Sequence, residues 1–361
     1  MSELKMVRLG EILQIQPKSK IKAGDGLQEG TYPFYTCSNE LTKRIDTADY
    51  EGPALIFGTG GNASIHYANG KFSTSTDCLV YKADKTTNLS LINKFLRHNI
   101  YLLENGFKGA GLKHISRDYI ANIEITLPSI LEQNKLVTQF DLIESIIANH
   151  KSMLQKYDTL IKSRFIEMFG EPVTNPKGWK VRKLKETTDI ITGNTPSRKD
   201  KDNYGTFIEW IKTDNITDKT YITTAAEYLS EKAEKLGRTV EAGSILMACI
   251  AGSLRSIGRV ALTDRKVAFN QQINAIVPKN YNNLFLYALF QNTQSYAQST
   301  VNMALKGILS KGKLEELEYI VPPIELQNTF AAFVQQIDKS KFEIWLYINL
   351  CVIIERRVFC V

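Results

Sequence analysis

ISRDYIANIEITLPSILEQNKLVTQFDLIE (115–144) lies without a gap on LSKGKLEELEYIVPPIELQNTFAAFVQQID (309–338). In that register Ser116 meets Ser310, Ile123 meets Leu317, Pro128 meets Pro322 and Ile130 meets Ile324. Gln133 meets Gln327, Asn134 meets Asn328 and Ile143 meets Ile337. Self-similarity on this scale marks two copies of one structural unit. Each copy reads as a short strand (123–127; 317–321), a proline that ends it, and a long helical pattern beyond.

Working outward, weaker echoes keep the same order. VRLGEILQIQPKS (7–19) echoes VRKLKETTDIITGNTPS (181–197), and Gly52-Pro53-Ala54-Leu55-Ile56 echoes Ala242-Gly243-Ser244-Ile245-Leu246. STSTDCLVYK (73–82) aligns with NQQINAIVPK (270–279). The expected organisation is α+β, with two similar mixed α/β modules, each followed by a long helix. The first module spans 1–128 and its helix 129–170. The second module spans 171–322 and its helix 323–361, atypical from about 345.

The first helix has marked ends: a Ser129-x-x-Glu132 capping box after Pro128, and Gly170 followed by Pro172 as a stop. Its span of about 40 residues is roughly 60 Å long. Phe140, Ile147, Leu154, Ile161 and Met168 recur every seven residues, as do Leu136, Ile143, His150 and Tyr157. That period is a coiled-coil seam, which Ile146, Met153 and Leu160 are expected to widen. His150 reads as a partly buried seam residue. The second helix starts in register with Phe330, Val334, Ile337 and Ile344, after which WLYINLCVIIERRVFCV (345–361) is apolar on every side. The seam is therefore expected to stop near 345, as in a chain truncated and altered at its end. Packed antiparallel, the helices would relate two unlike modules by an approximate two-fold axis, a geometry suited to two half-sites on a duplex.

The 361 residues are 43% hydrophobic, 10% aromatic and 23% charged, which excludes disordered and collagen-like chains. The excess of 45 basic over 38 acidic residues, +7, suits a polyanionic partner without demanding one. Cys37, Cys78, Cys249, Cys351 and Cys360 form no C-x-x-C pair, and four histidines (66, 98, 114, 150) assemble no zinc spacing. Thiols in a reducing compartment are expected. The N-terminus is charged throughout, and 345–354 is too short to span a bilayer, so a cytoplasmic protein without a membrane is expected.

Catalytic signatures are missing. Phe57-Gly58-Thr59-Gly60-Gly61 lacks dinucleotide spacing and reads as a tight turn. Gly307 to Leu314 resembles a phosphate loop but has Leu314 where a hydroxyl should meet magnesium. No metal, cofactor or catalytic residue is expected on the chain.

Clustered polar residues are the candidates for contact with DNA. The first module offers Tyr35, Asn39, Lys43, Arg44, Asn62, Lys71, Ser73, Thr74 and Lys113, with Tyr32, Tyr67, Ser75, Lys108 and His114 beside them. The second offers Asn194, Thr195, Ser197, Arg198, Lys199, Tyr204, Lys212 and Asn215, with Lys201, Trp210 and Thr213, then Arg255, Arg259, Asn270, Gln271 and Gln272. Arg and Lys can neutralise phosphates or read guanine, and Asn and Gln can pair with adenine edges.

These residues bring a family into view. Over essentially its whole length the chain resembles the specificity subunit of type I restriction–modification enzymes. ITGNTPSRKDKDNYGTFIEWIKTDNI (191–216), GSILMACIAGSLRSIGRVAL (243–262), FNQQINAIVPK (269–279), LPSILEQ (127–133) and VPPIELQ (321–327) carry the likeness. The resemblance implies two target-recognition domains, each binding half of a split asymmetric site on double-stranded DNA. It implies helices that set the spacing and dock two modification (methyltransferase) subunits, joined by a restriction (translocase/nuclease) subunit. S-adenosylmethionine, ATP and magnesium would sit on those partners, and the chain itself would be non-catalytic. Two other classes are distinguishable. A nuclease using scattered carboxylates would cut DNA unaided, and a coiled-coil scaffold with protein-binding modules would not need the Arg/Lys/Asn/Gln clusters.

Overall fold

The computed structural model describes residues 5–301 and 307–359; Cys360 and the extreme ends of the N-terminal and tail readings lie outside them. The chain divides into two compact units, Met1–Lys151 with Trp345–Val361, and Ser152–Ile344.

In unit 1, strands Leu13–Ile15, Cys78–Ala83, Ala54–Gly58 and Ser64–Ala68 form an antiparallel sheet in that spatial order. Ala54–Gly58 is buried along its whole length, which explains its unbroken apolar run. A second sheet orders Lys43–Ile45, Tyr32–Tyr35, Lys71–Thr74 and Tyr50–Glu51, its middle pair parallel. The ribbon Lys5–Arg8 with Glu124–Leu127 joins the start of the module to its end. Helix Leu89–His98, capped by Asn88, buries Leu89, Leu91, Ile92 and Leu96 in the core.

Unit 2 repeats the plan. Its antiparallel sheet orders Thr188–Thr192, Ile273–Pro278, Ile245–Ala248 and Val260–Leu262. The second sheet, here of five strands, again holds a parallel pair, Ile208–Ile211 with Val267–Phe269. The ribbon is Val181–Lys183 with Glu318–Ile320, and helix Asn283–Asn292 is capped by Asn282. Ser116 and Ser310 cap matching short helices, accepting from the amides of Tyr119 and Lys313.

One alignment is corrected. Tyr81 faces Leu55, while Ile276 faces Ile245, so Cys78 occupies the place of Ile273, two residues off the register read for 73–82. A two-residue slip keeps every side chain on its own face of the sheet, so the hydrophobic alternation could not reveal it.

The aligned Gln and Asn residues form a duplicated joint between module and helix. Gln133 Oε1 accepts from the Asn88 amide at 2.8 Å, and Gln327 Oε1 accepts from the Asn282 amide at 2.9 Å. Gln133 Nε2 donates to Pro128 O at 2.9 Å, and Gln327 Nε2 to Pro322 O at 2.8 Å. Asn134 and Asn328 accept from the side chains of Asn88 and Asn282 at 2.8 and 3.0 Å. Both glutamines are buried. Removing either leaves a backbone N–H and a C=O unpaired in the interior. Gln327→Ala and Gln133→Ala are each expected to lower stability by about 2 kcal/mol in urea unfolding. A cost at one joint without the other would contradict their equivalence.

The long helices run Ile130–Phe169 and Ile324–Phe359. Ser129 Oγ accepts from the Glu132 amide at 3.4 Å, but the Glu132 carboxylate turns to Lys135 at 2.9 Å, so only half of a capping box forms. Gly170, at φ 79°, ends the first helix in the left-handed conformation that glycine adopts without strain.

Leu136, Phe140, Ile143, Ile147, His150, Leu154, Tyr157, Ile161 and Met168 are all buried or half-buried. Met153 and Leu160 are exposed, so the seam is narrower than expected. On the second helix Phe330, Val334, Ile337 and Ile344 are buried, and the same spacing continues through half-buried Ile348, Cys351 and Glu355. The expectation that the seam stops near 345 is therefore corrected. The period was hidden because the outward positions Leu346, Leu350 and Ile353 are apolar too, although about half exposed.

Contact pairs give the helix direction within each unit. In unit 2 Phe165 meets Phe330 and Asp158 meets Lys341. In unit 1 the His150 ring stacks on Tyr347 at 6.0 Å, and Glu355 lies close enough to Glu144 to feel its charge. Numbers fall along one helix as they rise along the other, so the pair is antiparallel. His150 sits in the seam, its Nδ1 buried without a partner.

Candidate nucleic-acid interface

Burial divides the sequence-predicted contact residues. Tyr35, Ser73, Thr74, Asn215 and Asn270 are buried, as is Ser75, and this corrects their reading as DNA contacts. Ser73 Oγ donates to Thr47 O and accepts from the Asp49 amide. Asn215 holds its own turn by accepting from Lys212 N and donating to Thr223 Oγ1 and Thr224 O. Asn270 closes a local turn with Gln272. Tyr35 packs between His66 and Phe72.

Others are at the surface but engaged by their own module. Arg44 donates to Gly30 O at 2.6 Å and Thr31 O at 2.9 Å, and Lys43 to Ala23 O at 2.7 Å. Asn194 bridges Leu236 O and Arg238 N, and the Tyr204 hydroxyl donates to Pro196 O. These half-buried donors shape the loops of their own module.

The exposed remainder in unit 1 is Asn39, Asn62, Lys71, Lys108, Lys113 and His114. Structure brings part of this set together. Gly61 N donates to Lys113 O, and His114 Nδ1 lies 3.2 Å from Thr59 O, so the loop carrying Asn62 touches the one carrying Lys108 and Lys113.

In unit 2 Thr195, Ser197, Arg198, Lys199, Arg255 and Gln271 are exposed. Arg198 and Lys212 converge on Glu227 and on the Trp210 ring, their cationic centres 5.5 and 5.0 Å from its centroid. Hydrogen bonds from Lys212 and Arg198 hold Glu227 below the usual carboxylate range. Lys199 and Arg255 have no carboxylate partner among the described residues.

Two adjoining depressions in unit 2 gather the rest. Thr213, Arg259 and Gln272 line one with Ala248, Ile250, Gly252 and Ser256. Ser256 and Arg259 also line a cleft of about 680 Å³ that adds Arg255, Lys162 and Lys341. Asp218 pairs with Arg259, and Asp158 with Lys341. Burial raises Asp338 at its edge, with Lys341 opposing. Lys162 and Lys341, helix residues outside the apolar repeat, carried no signal in the sequence. The combination of cations, amides and hydroxyls suits a polyanion with base edges. Among the described residues no group of His, Cys, Asp or Glu is placed to hold a metal ion. No described helix is long and apolar enough to cross a membrane.

Fold and site together define a class: two-module proteins whose like modules present exposed polar residues and lead into paired long helices. The family model described as the type I restriction modification DNA specificity domain matches residues 1–156 and 176–345, and the chain belongs to that family. It is 29% identical to the type I restriction enzyme HindI specificity subunit of Haemophilus influenzae, over 43% of this chain and 34% of that protein. It is 22% identical to the MjaVIII specificity subunit of Methanocaldococcus jannaschii, over 92% of this chain and 85% of that one. The chain thus spans about a third of the length of the first of these relatives. In fold it is similar to the type I restriction–modification S subunit from M. genitalium, with a TM-score of 0.65, 12% identity, and 99% and 95% of the two chains covered.

Proposed function

We propose that this chain is the DNA sequence-recognition subunit of a type I restriction–modification complex in the cytoplasm. Each module reads one half of a bipartite asymmetric site on double-stranded DNA, and the paired helices set the spacing and dock two modification subunits. Those partners bring S-adenosylmethionine and methylate one adenine per half-site. A restriction subunit supplies the ATP- and magnesium-dependent activity. The carrying observation is the duplicated module with its duplicated Gln–Asn joint, which holds two different polar surfaces on one shared framework.

A segment exchange tests it. Replacing residues 175–320 with the matching segment of a relative is expected to change one half-site and leave the other half-site and the spacing intact. Mapping methylated adenines in cells carrying the hybrid with its modification subunit reads the result. A hybrid that alters both half-sites, or none, would overturn the assignment.

A further inference from the structure

Cys37 and Cys78 are far apart in sequence but lie on either side of Gly58. Cys78 is the cross-strand partner of Gly58. A Cβ built on Gly58 would stand 2.9 Å from Cys37 Cα and 3.3 Å from its Cβ. A larger residue at 58 would collide with Cys37; with glycine there, Cys37 packs against the small buried cluster that contains Cys78. Cys37 Sγ donates to Asp77 O, next to Cys78 in the chain, at 3.1 Å, and Cys78 Sγ donates to Tyr35 O at 3.8 Å and lies 3.6 Å from Ser75 Oγ.

Their place in the duplicated plan points to a role. Tyr35 pairs with Thr74 as Ile211 pairs with Phe269, both in parallel. Counting on from those pairs, Cys37 takes the position of Thr213 and Asp77 that of Gln272. Gly60 takes that of Ile250, since Gly58 pairs with Cys78 as Ala248 pairs with Ile273. Thr213, Gln272 and Ile250 line a depression in unit 2. The half-buried Cys37 therefore holds in the first module the place that Thr213 holds at this depression, packed against the cluster of buried Cys78.

We propose that Cys37 and Cys78 form an oxidisable dithiol, and that their disulfide shuts the recognition surface of the first module. Cys37 is the attacking sulfur. The polar groups around it, the Cys78 side chain first and then the backbone at Gly60 and Thr59, bring its pKa down to about 6, against the effects of burial and of Asp77. Cys78 is pushed up by its neighbour Cys37 and by burial, and stays a thiol. The oxidant is a hydroperoxide. The Cys37 thiolate attacks its terminal oxygen, giving a sulfenic acid and an alkoxide or hydroxide that takes up a proton. Cys78 sulfur then attacks the sulfenic sulfur, and the expelled hydroxide leaves as water with the Cys78 proton. One dithiol and one hydroperoxide become one disulfide, one alcohol or water, and one further water. The bond ties the turn leading to Asn39 onto the start of the Cys78–Ala83 strand.

The chemistry stands independently of the proposed function, whereas the effect on DNA rests on it. The full chain, assembled with its modification subunit, is treated with hydrogen peroxide at neutral pH, alkylated with iodoacetamide and digested without reduction. A Cys37–Cys78 linked peptide is expected as the main product, absent from Cys37→Ser and Cys78→Ser protein with unchanged circular dichroism, and reversed by dithiothreitol. Affinity for the specific duplex is expected to fall at least tenfold on oxidation and to return on reduction. Recovery of both cysteines separately alkylated after peroxide and denaturation would overturn the dithiol. Linkage without loss of specific binding would overturn the closure. A reduced complex with no specific binding would refute the functional assignment, and the linked peptide still decides the dithiol.

Discussion

Replacing Phe165 with alanine is expected to lower the unfolding free energy of unit 2 by about 3–5 kcal/mol. Phe165 is fully buried, with its ring 5.1 Å from Phe169, 5.6 Å from Phe285 and 5.5 Å from Phe330. Phe169 in turn meets Phe285 at 4.7 Å and Phe330 at 5.7 Å, and Trp179 lies at its edge. The cluster ties the last turns of the first long helix to the first turns of the second and to helix Asn283–Asn292. Truncation removes three aromatic pairs and leaves a cavity whose walls belong to three helices anchored elsewhere, so little collapse can fill it. Trp179 and Trp210 both lie in unit 2, and their fluorescence in a urea titration reads the loss. Leu160→Ala, on the exposed face of the same helix, is expected to change stability by less than about 0.5 kcal/mol. A Phe165→Ala shift below about 1 kcal/mol would mean that the helices close over the void.

That cluster shows what periodicity makes legible and what it conceals. Ile161 and Met168 were visible as seam positions because their spacing repeats. Phe165 and Phe169 fall outside that repeat, yet burial puts them at the centre of the aromatic cluster. The junctions were legible because Gln133 and Asn134 recur as Gln327 and Asn328 and do the same work in both copies. The contact residues were only partly so. Ser73, Asn215 and Asn270 have the composition of DNA readers, but the same hydroxyls and amides also satisfy buried turns, and sequence does not distinguish the two uses. Cys37 and Cys78 escaped notice because strand pairing, rather than spacing along the chain, brings them together. At the tail, a helix apolar on both its inner and outer faces loses the contrast from which a seam is read, even though the inward spacing persists.

Alkaline pH is expected to unfold unit 2 through its buried tyrosines. Burial raises Tyr281, Tyr287 and Tyr319, with Tyr287 reaching about 12. All three are nearly inaccessible, and the Tyr281 hydroxyl donates to Ile320 O at 3.0 Å. A folded-state pKa above the unfolded value means that the native state keeps its proton while the unfolded chain gives one up. The contribution is fully present below about pH 10, the ordinary tyrosine value, and is lost as pH rises toward the folded values. Each group then removes about 1.4 kcal/mol per pH unit, so three together remove about 4 kcal/mol by about pH 11. Urea titrations at rising pH measure the slope, and in ultraviolet titration a late step of tyrosinate absorbance, after that of exposed Tyr101 and Tyr347, is expected to coincide with unfolding. Tyr319→Phe, which takes one titrating group from both states, is expected to flatten the slope by about a third. An unchanged slope in that variant would show that its hydroxyl reaches water in the folded protein.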